Sequence, residues 1–206
     1  MSKATILLGS GNRNKGIEMG RVLAPTGIEI VTLAAYPDAP DVVEDGTTFA
    51  ENAAKKARGY ALFSKRWTVA EDSGLSVDAL GGAPGIYSSR FSGVNHSDQK
   101  NNALLLEKME GVPIEKRTAH YTCSMALSDP AGNIRFACEE YCGGRILFEQ
   151  CGENGFGYDP LFEVIEYHQS FGELSPLLKS TISHRARATR RFIAAVRALL
   201  GEILSE

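Results

Sequence analysis

The sequence predicts an α/β protein, with a mixed twisted sheet, flanking helices and a long hairpin, arranged as two lobes around a central cleft. Three observations carry this expectation. Short apolar runs of strand length alternate with stretches of helical periodicity through the first half of the chain. From Ala119 to Leu127 the period changes to two, and a turn-forming stretch follows. The 206 residues, 43% hydrophobic and 23% charged, suffice for one globular domain with a real core, expected to span 1–206.

The elements follow in order. Thr5 to Leu8 reads as a buried strand, and Lys15 to Leu23 as a helix stopped by Pro25 and Gly27. Ile28 to Leu33 is a second strand. Thr48 and Glu51 have capping-box spacing at the head of a helix over 48–63, with Glu51 and Lys55 placed to pair one turn apart. Trp67 to Asp72 reads as a strand that ends in two acids, because Ser73-Gly74 resembles a turn. Residues 81–97 are loop-like, with Pro84-Gly85 as a turn signal, and Asp98 to Met109 is helical. Between Ala119 and Leu127 the odd-numbered residues are apolar or amphipathic, whereas His120, Thr122 and Ser124 face the other way, as in a half-buried strand. Residues 129–133, "DPAGN", form a hairpin turn into a return strand from Ile134 towards Phe148. A last helix after Ser183 places Ala186, Ile193, Val196, Leu200 and Ile203 on one stripe.

Composition removes several classes. A formal charge of −3 gives no general reason for nucleic-acid or membrane binding. No apolar run approaches the roughly 20 residues of a membrane span, and the apolar part of "MSKATILLGS" is too short for a signal peptide. A cytoplasmic location is the default expectation. Cys123, Cys138, Cys142 and Cys151 contain no Cys-x-x-Cys pair, so reduced, partly buried thiols are favoured over a zinc site.

Four clusters could carry chemistry. Gly9 to Gly16, "GSGNRNKG", follows the first strand but is no P-loop, because Asn14 and Gly16 stand where Gly and Ser/Thr are required. Nor is it a dinucleotide fingerprint, whose third glycine is replaced by Asn14. Glu71 and Asp72 are either Mg²⁺-ready carboxylates beside a ligand cleft or a solvated turn; their adjacency on a strand gives them opposite faces and so different roles. Glu44 is a third acid, which on its own reads as a charged loop residue. Residues 152–160, "GENGFGYDP", combine three glycines with Phe156 and Tyr158, either an exposed platform for a base or an anchored glycine turn. In "KSTISHRARATRR" (179–191), Ser183 has the character of an N-cap. His184 and Arg185 then oppose the helix dipole unless an anion binds, while Arg187, Arg190, Arg191 and Arg197 read as a solvated face. Together these are the parts of a nucleoside polyphosphate site. No Gly-x-Ser-x-Gly elbow or His-Glu-x-x-His accompanies them.

The chain resembles the inosine triphosphate pyrophosphatase family, also called dITP/XTP pyrophosphatases. "SGNRNK", "EDGTTFAENAAKKA", "AEDSGLSVDALGGAPGIYSSRFSG", "GFGYDP" and "KSTISHR" occur in the family's order over nearly the whole length. The resemblance implies that Ser10, Gly11, Asn12, Arg13, Asn14 and Lys15 form a triphosphate-binding turn, with Lys15 on the phosphates. It gives Glu44, Glu71 and Asp72 to Mg²⁺, makes Asp72 the base that activates water, and makes Lys56 an active-site lysine. Ser73, Phe156, Gly157, Tyr158, Asp159, Lys179, His184 and Arg185 take the remaining substrate contacts. Ser10 replaces the commoner Thr, and Glu71 stands where many members have Asp.

The implied reaction is hydrolysis between the α- and β-phosphates of dITP, ITP or XTP, releasing a monophosphate and pyrophosphate. Donors aimed at the oxygen on purine position 6, from the main chain of 156–159 and from Arg185, would reject adenine. The family also implies a homodimer acting on free nucleotides rather than nucleic acid. A nucleotide-sensing or nucleic-acid-binding module is the rival class, but it gives no use for the three acids. A pyrophosphatase for modified pyrimidine nucleotides is the nearest rival enzyme.

Overall fold

The computed structural model describes residues 5–93 and 97–204, so Val94 to His96 of the expected loop at 81–97 lie outside the described residues. Seven strands form one mixed sheet in the order β2-β1-β3-β4-β5-β6-β7. Strand β1 (Thr5–Leu8) pairs in parallel with β2 (Glu29–Thr32) on one side and with β3 (Thr68–Val77) on the other. The turn at 129–133 joins β4 (Thr118–Ser128) to β5 (Ile134–Ile146), and Asp129 ties it by accepting from the Ala131 and Asn133 amides. Strands β6 (Phe162–Val164) and β7 (Gln169–Ser170) complete the antiparallel edge. The helices are α1 (Arg13–Leu23), α2 (Phe49–Ser64), α3 (Asp98–Lys108), α4 (Pro176–Ile182) and α5 (His184–Ala198). Among the described residues no helix is long and apolar enough to cross a membrane.

The chain divides into two compact units. The first comprises 5–72, 123–140 and 185–204 among the described residues, with a core built from Ile6, Leu8, Trp67, Val69, Met125, Phe192 and Val196. Ala186, Ile193, Val196 and Ile203 are buried, as the helical stripe predicts, while the Leu200 side chain lies outside what the structure describes. The second comprises the described residues of 73–122 together with 141–184, and packs Leu75, Leu105, Tyr121, Phe162 and Phe171.

Four local expectations require correction. Strand β3 does not stop at the acids but runs on to Val77, because Leu75 and Val77 continue the buried face and outweigh the turn character of Ser73-Gly74. Strand β4 is buried on both faces from Tyr121 onward, as expected of a central strand. Thr48 does cap α2 through the Glu51 amide, but Glu51 reaches back to Thr47, and Lys55 pairs with Asp45 at 2.5 Å rather than with Glu51. Residues 85–90 of the expected loop form a 3₁₀ helix.

Candidate active site

The register of β1 and β3 creates the first half of the site. Leu8 lies beside Val69, so β3 continues past the end of β1 just where the chain turns into residues 9–15. Glu71 and Asp72, on opposite faces of this extension, therefore meet different partners.

Glu71 is buried and fully engaged. Its Oε1 accepts from Lys15 Nζ at 3.1 Å and Arg185 Nε at 3.3 Å, and Cys123 Sγ lies 3.5 Å from Oε2. Arg185 is itself held at 2.5 Å by Glu18, three residues along α1 from Lys15. Burial alone would raise the Glu71 carboxyl, but Arg185, then Lys15 and Lys56, outweigh it and hold the group well below the usual carboxylate range. Glu71 is thus a permanent anion that orients Lys15.

Asp72 faces α2. Lys56 Nζ lies 3.2 Å from its Oδ1 and 2.8 Å from Oε2 of Glu44, while Asn52 donates to its Oδ2 at 3.1 Å. Asn52 and Lys56 reach the same carboxylate because they are one helical turn apart on a buried face. Asn52 in turn accepts from the Gly46 amide at 2.8 Å, which fixes the segment bearing Glu44. The two acids are driven apart in acidity. Burial, with the nearby Glu44 charge, raises Asp72 despite Lys56; Glu44 also feels burial, but Lys56 overcomes it and lowers the group.

The turn at 9–15 is built as a helix entry. Asn12 caps α1 by accepting from the amides of Asn14 (3.0 Å) and Lys15 (3.3 Å), and Ser10 Oγ accepts from the Asn12 amide at 3.2 Å. Gly11, Asn12, Arg13 and Asn14 are exposed, and Ser10 and Lys15 half-buried. The same unit therefore holds Ser10 to Lys15, Glu44, Lys56, Glu71, Asp72 and Arg185.

The second unit holds Ser73, the 156–159 loop, Lys179 and His184. Lys179 Nζ lies 2.5 Å from Asp159 Oδ2 and 5.1 Å from the centre of the Phe156 ring. Phe156 is half-buried. Tyr158 is buried instead of exposed, because its hydroxyl donates to the Ser88 carbonyl at 2.7 Å, so it anchors the loop. His184 is also buried, its ring stacked on Tyr121 with centroids 4.6 Å apart.

The Phe156 and Gly157 amides donate to Asp159 and Asp98, each at 2.8 Å, while Arg185 binds Glu71 through Nε and Glu18 through one terminal nitrogen. Among the described residues no ready-made group of three carboxylate, imidazole or thiol groups surrounds a metal position. Lys56 bridges Glu44 and Asp72, while Lys15 and Arg185 hold Glu71, and the charges of Lys15 and Lys56 act on all three acids. Sequence reasoning missed Asn52, Glu18 and Asp98; the four-residue step from Asn52 to Lys56 was the one available signal.

An α/β sheet whose central strand carries buried carboxylates between two lysines, beside an exposed helix entry, defines a protein suited to a polyphosphate ligand and to proton transfer. The chain belongs to the Ham1 family, whose model matches residues 6–195. A dITP/XTP pyrophosphatase from Rhodopirellula baltica is 50% identical over 188 residues, covering 91% of this chain and 90% of that protein. One from Desulforamulus reducens is 48% identical over 186 residues, covering 90% and 92%. Among solved structures, a HAM1 protein from Coxiella burnetii matches with a TM-score of 0.85 at 35% identity, over 94% of this chain and 98% of that one. A nucleoside-triphosphatase / dITP/XTP pyrophosphatase from Mycobacterium abscessus matches with a TM-score of 0.74 at 39% identity, over 91% and 98%.

Proposed function

We propose that this chain hydrolyses the deaminated purine nucleoside triphosphates dITP, ITP and XTP to the monophosphate and pyrophosphate, clearing them from the nucleotide pool. One observation carries the reading: Lys56 sits between Glu44 and Asp72, whose surroundings push their acidities in opposite directions. A pair divided in this way supplies one base and one fixed anion. Asp72 is the base, positioned by Asn52 to accept the proton of the attacking water. Lys15, aimed by Glu71, and Lys56 neutralise charge developing on the polyphosphate. The helix-entry residues Ser10 to Asn14 surround the phosphate end.

The donor chemistry of Glu44 and Asp72 fits Mg²⁺, which takes few carboxylates and fills its shell from substrate phosphates and water. When bound, Mg²⁺ supplies charge neutralisation and Lewis acidity at the phosphates. Glu71, whose Oε1 is held by Lys15 and Arg185, would add its Oε2 to that shell while positioning Lys15. For the base, the ring of Phe156 offers a stacking face. Lys179, held by Asp159, offers a donor to the oxygen at purine position 6 in place of the committed main-chain amides. Ser73 and His184 remain proposed contacts at the margin. A cytoplasmic homodimer acting on free nucleotides completes the reading.

The test is product analysis across a panel of nucleoside triphosphates, with Mg²⁺ and with excess chelator, alongside calorimetric titration of Mg²⁺ into the protein. Pyrophosphate is expected from dITP, ITP and XTP, with little from dATP or dGTP and none under chelator. Orthophosphate as the first product, or full activity in chelator, would sink the proposal.

A further inference from the structure

Helix α3 is remote in sequence from the aromatic loop, yet two of its side chains hold one residue of that loop. Asp98 Oδ2 accepts from the Gly157 amide at 2.8 Å, and Asn102 Nδ2 donates to the Gly157 carbonyl at 3.0 Å. The two residues are one helical turn apart, so they project from the same face and grip both polar groups of a single residue. Gly157 has φ +63°, a conformation that L side chains rarely adopt, and it lies directly between Phe156 and Tyr158. A glycine there leaves the loop intrinsically free to pivot, and external bonds must set its direction. The neighbouring Asn101 repeats the device on the adjoining segment. Its side chain accepts from the Ser92 amide at 2.8 Å and donates to the Ser89 carbonyl at 3.2 Å, while Tyr158 bonds the Ser88 carbonyl.

We propose that Asp98 and Asn102 are positioning residues for base recognition: by clamping Gly157 they fix the direction in which Phe156 presents its ring, and so set affinity for the base without touching the substrate. This rests on the proposed function in assigning the loop to the base. Asp98 is exposed, so its replacement should spare the fold, whereas Asn102 is buried. A purely structural role would lower stability and leave substrate affinity alone. A positioning role for the base predicts a split, because contacts formed equally in the ground and transition states appear in KM and not in kcat.

The experiment compares wild type, Asp98→Ala and Asp98→Asn in steady-state hydrolysis of dITP with Mg²⁺, with inorganic tripolyphosphate as a base-less competitive inhibitor. Losing a hydrogen bond to a charged acceptor should raise KM about tenfold in Asp98→Ala, with kcat within about twofold of wild type. Inhibition by tripolyphosphate should be unchanged, because the clamp does not act on the phosphates. Asp98→Asn, which keeps an acceptor oxygen, should restore KM towards wild type. Amide hydrogen exchange at 155–158 should accelerate in Asp98→Ala alone. An active wild type with an unmoved KM in Asp98→Ala would overturn the clamp, as would a KM change matched by equal weakening of tripolyphosphate. A wild type inactive on every triphosphate would overturn the proposed function, and this inference with it, whatever the exchange data showed.

Discussion

Glu71 and Asp72 are neighbours in the chain with opposite electrostatic lives, and the contrast gives a paired prediction at the residue scale. Burial disfavours the charge of Asp72, so an isosteric amide should cost little stability. The amide cannot accept the proton, and general-base losses run to about 10²–10⁴-fold. Asp72→Asn should therefore fold normally and lose most turnover. For Glu71 the balance is reversed, because Lys15 and Arg185 both converge on its Oε1. Glu71→Gln removes one of the acids that balance buried Arg185, and breaking a buried pair typically costs about 3–5 kcal/mol. Denaturant unfolding and dITP turnover, measured on both variants, decide the matter. A stable, fully active Glu71→Gln would deny its role as the anchor of Lys15. Near-native turnover in Asp72→Asn would move the base elsewhere, with Glu44 next in line.

At the scale of elements, α2 carries both Asn52 and Lys56, and its first turn is tied down by side chains. Thr48 caps the Glu51 amide at 3.1 Å, while Glu51 binds the Thr47 amide at 2.7 Å. Thr48→Ala should cost about 1 kcal/mol, the usual value of an N-cap, and lower the melting temperature by about 2–4 °C. An unchanged melting curve would show that tertiary packing, and not the cap, fixes the start of α2. This cap was legible in the sequence because it depends on residues three apart. So were the strands with clear alternation, the 129–133 turn and the stripe on α5. The pairing of Lys55 with Asp45 was not legible, because it depends on how the preceding loop folds back. The extension of β3 was hidden for a related reason: Ser73-Gly74 has turn chemistry, and only packing around Leu75 and Val77 keeps it extended. Likewise the amides of 156 and 157 resembled free donors until Asp98 and Asp159 were seen to occupy them. Local pattern singled out the candidate residues; the partners that surround them come from distant segments.

At the scale of the whole molecule, the two units have separate apolar cores but no linker. The chain passes from one unit to the other at 72/73, 122/123, 140/141 and 184/185. The first three passages lie inside β3, β4 and β5, and the last falls at the first peptide of α5. A strand cannot melt over half its length without exposing the backbone groups of the other half, so the two cores should unfold as one cooperative transition. Phe162 provides the test. It is fully buried in the second core, against Tyr121 at 4.8 Å and Phe171 at 5.3 Å between ring centroids. Truncation to alanine should cost about 3–5 kcal/mol and lower the melting temperature on the order of 10 °C. If the units are coupled, that loss moves the entire calorimetric peak, and the fluorescence of Trp67, which lies in the other core, falls in step with it. The calorimetric and van't Hoff enthalpies should also agree for both proteins. Two resolved peaks in Phe162→Ala, with the Trp67 signal melting at the wild-type temperature, would show that the cores unfold independently despite the strands they share.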